Sequence, residues 1–305
     1  MERRRSGARR IFADFFHPTV RIAMDIATAR LLCDMTSDFY RQQAASFSQT
    51  RQAPWPGWRT CVDVLRRAGL GGDVAVLDLA CGNLRFESFL AESLAPAACT
   101  FYAVDNCDGL VSSAADGARG RGLRIASAGP ASGGAADNGR ASDGESHLDV
   151  RFQSLDVMEA LFAGASLYDA LEAPACDVAV SFGFLHHVPL FEQRVAVMRA
   201  LVDQVRPGGF VIVSLWRFLH DDAFAAKAQA EHARAVAELG LPPLGLGDFV
   251  LGWQNVPGAY RYCHSFSDIE LDQLVVACGD AAEEVVRFTA DGRTGEMNAY
   301  VVLQV

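Results

Sequence analysis

The sequence predicts an α/β protein built around a mainly parallel β-sheet with helices on both faces. An apolar run at residues 74–79 has the pattern of a buried strand, and a tight turn of small residues and a helix-like segment follow it. Further apolar runs come later in the chain, and acidic or small residues recur at their ends. Because the carboxyl ends of parallel strands line one crevice, this pattern predicts a ligand site there.

The first strand and its turn favour a nucleotide-type cofactor. Asp78 lies near the end of the strand, and the small residues Ala80 and Gly82 let the backbone approach a ligand closely. A dehydrogenase would need the pattern G-x-G-x-x-G. Here Gly82 stands alone, since Ala80 and Leu84 occupy the flanking positions.

Four more strands of the predicted sheet follow, at residues 100–104, 150–153, 176–182 and within 206–213 after a Pro-Gly-Gly turn. The second strand ends at Asp105, about 20 residues beyond the turn, where dinucleotide-binding folds place an acid on the ribose hydroxyls. Asp156 follows the third strand. Two last strands, at 284–288 and 298–304, are predicted to form a closing hairpin through Asp291 and Gly292.

The remaining segments define the predicted domain organisation. Residues 1–70 show helical spacing and predict an N-terminal helical extension, and 71–305 form the main domain. Within it, 117–147 is rich in Gly, Ala and Ser without periodicity and predicts a flexible insertion. An Ala-rich helix in 219–256 predicts an inserted helical lid.

These elements, in this order, resemble the class I S-adenosylmethionine-dependent methyltransferases. The resemblance implies a Rossmann-like fold with a seven-stranded mixed sheet, and S-adenosylmethionine as the cofactor. It places Asp78, Gly82, Asp105 and Asp156 at loop, ribose and adenine positions. The full set of cofactor-binding residues that it implies is Asp78, Ala80, Gly82, Asp105, Asn106, Asp156, Val157 and Ser181.

The acceptor side resembles a narrower group. Residues 39–56, with the sequence FYRQQAASFSQTRQAPWP, resemble the N-terminal signature of the tRNA wobble-uridine (carboxymethyluridine) methyltransferase family. Other matching segments are Cys81-Gly82-Asn83, 105–110, His186-His187, Trp216 and 256–264. The resemblance implies tRNA as substrate, methylation of a carboxymethyl group and a role in tRNA modification. A small activating protein is a further expected partner. Three positions depart from the family pattern: Leu84 replaces a loop glycine, Cys263 replaces a tyrosine, and Gly258 follows Pro257 where the family often has an aromatic residue.

The chemistry of methyl transfer suggests roles for four residues, His187, Arg51, Arg261 and His264. A methyl group leaves a sulfonium by direct displacement, so alignment matters most and a carboxylate acceptor needs no base. Arg51 and Arg261 offer bidentate forks for carboxylates. His187 is a candidate base for a hydroxyl or amine acceptor, and a buried structural histidine is the alternative. His264 belongs to the same matched motif as Arg261.

Aromatic residues near these motifs offer a second kind of acceptor contact. Trp55, Trp216 and Tyr262 would stack on an extruded base if they line the pocket. Filling the core is the alternative role for each of them.

Composition sets further expectations. The 305 residues carry a net charge of −10, which opposes broad non-specific nucleic-acid binding, although ten arginines fall within residues 1–60. The eight cysteines form no C-x-x-C pair, so no metal site is expected. No apolar run reaches membrane-spanning length, and charges interrupt the segment behind the Arg-rich start, so we expect a cytoplasmic protein.

Two alternative functions remain open at this level. One is a small-molecule O- or C-methyltransferase, which predicts a deep apolar pocket. The other is a non-catalytic partner subunit that keeps the fold, which predicts no cofactor affinity or binding without turnover.

Overall fold

The computed structural model describes residues 24–120, 122–127 and 147–305. Residues 1–23 of the predicted extension and 128–146 of the predicted insertion lie outside the described residues. Across the described part, no helix is both long and apolar enough to cross a membrane.

In the described residues, the core is a mixed sheet of eight strands. The strands are β1 Asp73–Leu79, β2 Ala98–Asp105, β3 Leu123–Ser127, β4 His147–Ser154, β5 Cys176–Phe182, β6 Val205–Trp216, β9 Glu283–Ala290 and β10 Asn298–Gln304. Their order across the sheet is β3-β4-β2-β1-β5-β6-β10-β9. The first six in this order run parallel, and β10 pairs antiparallel with both β6 and β9. All seven predicted strands are present, including the closing hairpin.

Helices cover both faces of this sheet. In chain order they are α1 Ile26–Gln49, α2 Pro56–Arg67, α3 Arg85–Leu94, α4 Asp108–Gly120, α5 Val157–Phe162, α6 Leu167–Ala170, α7 Phe191–Asp203, α8 Asp222–Leu239 and α9 Asp268–Ala277. Two large apolar clusters result, one on each face. The α/β class predicted from the sequence is therefore confirmed.

The count of seven strands is wrong by one. Strand β3 is an additional parallel edge strand beside β4. It lies in the segment 117–147, which was expected to be a flexible insertion, and α4 also extends into that segment, to Gly120. The physical reason is local patterning, because Leu123 is buried and Ile125 packs against the same core cluster.

The segment 219–256 is only partly helical. After α8 the chain forms strand β7, Asp248–Gly252, which pairs antiparallel with β8, Tyr260–His264. Both apolar residues of β7 are buried, Val250 in a cluster with Leu32 of α1 and Ala235 of α8, and Leu251 in a cluster with Ala228 of α8. The Ala-rich helical pattern did not reveal this placement.

The N-terminal helices cover the site end of the sheet. Asp25 caps α1 by accepting a hydrogen bond from the Thr28 amide, and Pro56 occupies the first turn of α2. Helix α1 packs on β8, where the Thr36 hydroxyl accepts a hydrogen bond from the Tyr262 amide at 3.0 Å. Helix α2 contributes Trp58 and Leu65 to the core cluster, so it is integral to the packed domain.

Candidate active site

A cavity of about 460 Å³ opens at the carboxyl ends of β1, β2, β4 and β5, with α1 and the α1–α2 connection as its cover. Parallel sheets place ligand sites at this edge. Of the twelve residues predicted for the site, ten line this cavity: Arg51, Asp78, Ala80, Gly82, Asp105, Asn106, Asp156, Val157, His187 and Arg261. Ser181 and His264 do not.

The turn after β1 has a backbone shaped for close approach. Gly82 adopts φ +58°, and a Cβ at that position would meet nothing within 4 Å, so its outer side is open. The Gly82 amide donates a hydrogen bond to Asp105 Oδ2 at 2.9 Å. Ala80 and Leu84 also have positive φ, at 67° and 54°. The fully buried Leu84 thus adopts a left-handed backbone conformation that favours glycine.

Asp105 is placed by backbone amides. Its Oδ1 accepts from the Cys107 amide at 2.8 Å, while Oδ2 accepts from Gly82. Burial raises the pKa of the Asp105 carboxyl to about 6, although these amides counteract the shift. The carboxylate is therefore mainly ionised at neutral pH.

Asn106 and Asp156 form one polar unit at the rim of the cavity. The Asn106 amide donates to Asp156 Oδ2 at 2.8 Å and to the Ser37 hydroxyl at 3.2 Å. Asp156 Oδ1 caps α5 by accepting from the Glu159 amide. The cap fixes the neighbouring Val157, whose buried side chain lines the cavity.

Beneath the turn lies a pair of buried carboxyl groups, of which only Asp78 was predicted from the sequence. Asp78 is 2% exposed, its Oδ1 has no hydrogen-bond donor among the described residues, and its side chain contacts a second carboxyl. That second carboxyl is Glu87, fully buried in the first turn of α3. The sequence signal for Glu87 was an acid among Phe86, Phe89 and Leu90 on the apolar face of a helix.

Two guanidinium groups that line the cavity, those of Arg51 and Arg261, lie over aromatic rings. Arg51 lies 4.5 Å from the Phe47 ring centroid, and Arg261 lies 4.9 Å from that of Phe39. Both also lie over Trp253, at 5.4 and 5.3 Å. Neither forms an ion pair with a carboxylate of the described residues, although Arg261 is only 7% exposed. Burial, together with the neighbouring charge of Arg261, lowers the pKa of Arg51.

His187 is held on both sides. Its Nδ1 lies 2.6 Å from the Tyr262 carbonyl oxygen, which can only accept, so Nδ1 carries the hydrogen. Nε2 then accepts from the Tyr40 hydroxyl at 2.9 Å. Burial lowers the pKa of His187 to about 3, with a smaller contribution from Arg261. The ring is neutral at physiological pH and is a weak proton acceptor.

His186 and Cys263 lie beside His187, with potential ligand atoms within 4.8 Å of one another. This spacing would suit a metal ion. However, both nitrogens of His187 are already hydrogen-bonded, and the Arg261 guanidinium contacts the Cys263 thiol. The local charge is therefore positive, which favours an anion over a cation.

Ser181 and His264 serve the scaffold instead. The fully buried Ser181 hydroxyl donates to the Leu79 carbonyl at 2.9 Å and so joins β5 to the end of β1. His264 lies between Asp248 and Glu270, with 2.7 Å hydrogen bonds on both ring nitrogens. Their positions therefore correct the prediction that these two residues contact cofactor or substrate.

The aromatic candidates divide in the same way. Trp55 and Trp216 line the cavity. Tyr262 is fully buried, and its hydroxyl donates to Asp248 Oδ1 at 2.5 Å while accepting from Arg194. Tyr262 is therefore unavailable for stacking on a base.

Solved structures with the same architecture define the class of this fold. A 1,6-didemethyltoxoflavin-N1-methyltransferase from Burkholderia thailandensis superposes with a TM-score of 0.53 at 16% identity, covering 93% of each chain. An S-adenosylmethionine-dependent methyltransferase from Methanosarcina mazei gives 0.51 at 15% identity, covering 79% of this chain and 96% of that one. The protein has the class I methyltransferase fold, and the cofactor of that class is S-adenosylmethionine.

Sequence comparison adds a narrower likeness. The chain is 25% identical, over 197 residues, to the tRNA (carboxymethyluridine(34)-5-O)-methyltransferase ALKBH8 of Macaca fascicularis. The match covers 63% of this chain and 21% of that protein, so this chain spans about a fifth of the length of that relative. No protein-family model matches the chain.

The cavity fits S-adenosylmethionine on its own features. Its volume suits a ligand of this size, the open side of Gly82 admits a ligand against the backbone, and the Asp78 carboxyl lines the cavity beside that turn. Asp78, Gly82, Asp105 and Asp156 are the residues that would hold it. When bound, this cofactor supplies an electrophilic methyl group on a sulfonium.

Proposed function

We propose that this protein is an S-adenosylmethionine-dependent methyltransferase that acts on the carboxymethyl group of a modified wobble uridine in tRNA. The observation that carries the proposal is the pair of guanidiniums, Arg51 and Arg261, which face the cavity without a carboxylate partner among the described residues. A buried cation without a counter-ion is costly, so this arrangement favours an anionic ligand.

The histidines support an acceptor that is already ionised. A hydroxyl or amine acceptor needs a group that takes up its proton. His187 is a weak acceptor because burial depresses its pKa to about 3, and burial also holds the pKa of His186 far below its usual value. A carboxylate needs no such group, because its oxygen attacks the methyl carbon directly while the sulfonium leaves as a thioether.

The likeness to ALKBH8 supports tRNA as the carrier of that carboxylate. It extends over 63% of the chain, and the segment 39–56 that includes Arg51 belongs to the pattern described from the sequence. Trp55 and Trp216 provide flat aromatic surfaces in the same cavity for an extruded base.

A transfer assay tests the proposal. We would incubate the protein with methyl-labelled S-adenosylmethionine and either tRNA carrying carboxymethyluridine or the same tRNA with unmodified uridine. Label should enter only the first. Arg261→Gln should lower kcat/KM by about 100-fold or more, because it removes a buried charge-assisted contact, while the exposed Arg59→Gln should leave it unchanged. Equal labelling of both tRNAs would contradict the proposal.

A second candidate is methylation of a small carboxylic acid. It is favoured by the enclosure of the cavity by Trp55, Trp216 and Phe224 and by the net charge of −10, which repels nucleic acid. Label recovered from a small-molecule extract, with none in tRNA, would establish this candidate in place of the first.

A further inference from the structure

Asp78 and Glu87 form a buried pair of carboxyl groups, and the proposed methyl transfer gives Glu87 no role. Glu87 is fully buried, and no other described residue donates a conventional hydrogen bond to either of its carboxyl oxygens, which have only its own backbone amide nearby as a donor. Asp78 lines the cavity, is 2% exposed and has a sealed Oδ1 that likewise lacks a donor. The two carboxyl groups lie within hydrogen-bonding reach of each other.

Two carboxyl groups in contact can form a hydrogen bond only if one of them keeps a proton. Here the requirement is strong, because both groups are removed from water and two adjacent negative charges would repel each other at low dielectric. The pair therefore carries one shared proton. Its net charge, beneath the turn that follows β1, is no more negative than −1.

Other charged and titratable groups face the pair from the surrounding elements. They are Asp105 at the end of β2, Arg85 in α3, and the thiols of Cys81 and Cys99. The thiols are neutral because burial raises their pKa values. Arg85 favours ionisation of Glu87, whereas Asp105 opposes it.

We propose that Glu87 is a positioning residue that shares one proton with Asp78, and that binding of S-adenosylmethionine releases this proton to the solvent. The inference rests on the proposed binding of that cofactor. S-adenosylmethionine carries an ammonium and a sulfonium group. A cationic ligand beside Asp78 favours the ionised pair, so Glu87 couples the affinity for the cofactor to pH.

The direction of the pH dependence follows from the free protein. Burial raises the pKa of Glu87 to about 8, and burial with the charge of Glu87 raises the pKa of Asp78 well above its ordinary value. The bound cation lowers the pKa of the pair. The affinity for S-adenosylmethionine should therefore rise with pH, by up to about tenfold per pH unit for the release of one proton. The rise should stop at the pH where the pair in the free protein has already lost its shared proton.

Calorimetric titration with S-adenosylmethionine, without any acceptor, tests the coupling. Running each titration in two buffers of different ionisation enthalpy gives the number of protons released. Glu87→Gln is the matched variant, because its amide donates permanently to Asp78 but cannot titrate. Between about pH 6 and 8, the wild-type protein should release close to one proton more than Glu87→Gln and show the steeper change of Kd with pH.

Comparison with Glu87→Gln isolates the pair, since the amine of the cofactor and Asp105 titrate in both proteins. Equal proton counts in the two proteins would overturn the inference. If Glu87→Gln does not fold, infrared difference spectroscopy of the wild-type protein decides: binding of S-adenosylmethionine at about pH 7.5 should remove the band of one protonated carboxyl group, and an unchanged carboxyl band overturns the inference. Failure to bind at any pH would overturn the proposed function as well, whereas binding with equal proton counts overturns this inference alone.

Discussion

At the scale of single residues, the predicted site residues fall into two groups: those whose side chains line the cavity, and those that only hold the scaffold together. Asp78, Gly82 and Asp105 were predicted from the order of strands and turns, because the carboxyl ends of parallel strands necessarily converge. Ser181 also lies near this edge, but its buried hydroxyl donates a hydrogen bond to the Leu79 carbonyl of β1 and does not line the cavity. Glu87 escaped prediction because its importance depends on a contact with Asp78, which is made only in the folded protein.

Ser181 gives a simple test of this separation. Ser181→Ala removes the hydrogen bond to the Leu79 carbonyl and leaves that buried oxygen without the partner seen here. We expect a loss of about 1–2 kcal/mol in the free energy of unfolding, measured by urea denaturation. The affinity for S-adenosylmethionine should stay within about twofold, since the hydroxyl does not reach the cavity. A large loss of affinity without a loss of stability would restore the predicted contact with the cofactor.

His264 should act on stability in a pH-dependent way. Burial raises the pKa values of Asp248 and Glu270, but hydrogen bonds and the charge of His264 outweigh it, so both pKa values are lowered. Groups with lowered pKa values stabilise the folded protein above the pKa of the unfolded chain, about 4, and this stabilisation disappears as the pH falls through the folded pKa values.

We therefore expect His264→Gln to lower the free energy of unfolding by about 3–5 kcal/mol at neutral pH, because two buried carboxylates lose a shared partner. The deficit should shrink on acidification as those carboxylates become protonated. Denaturation curves at several pH values, with substitution of the exposed His220 (His220→Gln) as control, measure both effects. A deficit that does not change with pH would contradict the ionic account.

At the scale of elements, the turn after β1 is hydrogen-bonded to the segment that carries Arg51, between α1 and α2. The Asn83 amide donates to the Arg51 carbonyl at 3.0 Å and to the Ser48 hydroxyl at 3.2 Å. Its oxygen accepts from Arg85 Nε at 3.0 Å. The helical character of residues 26–67 was predictable from their spacing, but this attachment was not, since it depends on the chain returning over the sheet.

Asn83→Ala should therefore loosen Arg51 more than it disturbs the cofactor. We expect KM for the acceptor to rise about tenfold, which corresponds to one or two hydrogen bonds, and Kd for S-adenosylmethionine to change less than about threefold. Gln52→Ala is the control, because its exposed amide bonds the Ser48 carbonyl in the same connection without reaching the turn. An equal effect of the two substitutions on KM would contradict the proposed attachment.

At the scale of the whole molecule, the order of strands was predictable, because continuous apolar runs ending in acidic or small residues specify a parallel core. The edges were less predictable. Strand β3 and the β7–β8 pair are short, and their burial is set by neighbours that are distant in sequence. The same limit applies to the site, where Arg51 and Arg261 come from segments about 200 residues apart and meet over Trp253.

The charge of the whole chain predicts how it should bind RNA. With a net charge of −10, attraction to phosphates should be weak and confined to the arginines near the cavity. The salt dependence of Kd for the anticodon stem-loop should correspond to about one to three phosphate contacts, measured by fluorescence anisotropy. A much steeper salt dependence would indicate an extended basic surface and contradict binding centred on the cavity.

The proposed product of the reaction is a methyl ester on a carboxylate carried by tRNA. The most direct measurement is mass spectrometry of the nucleosides released from carboxymethyluridine-containing tRNA after reaction with the purified protein and S-adenosylmethionine. Carboxymethyluridine should gain one methyl group, and mild alkali, which hydrolyses esters, should remove it. A methyl group that is stable to alkali, or one found on another nucleoside, would contradict the claim.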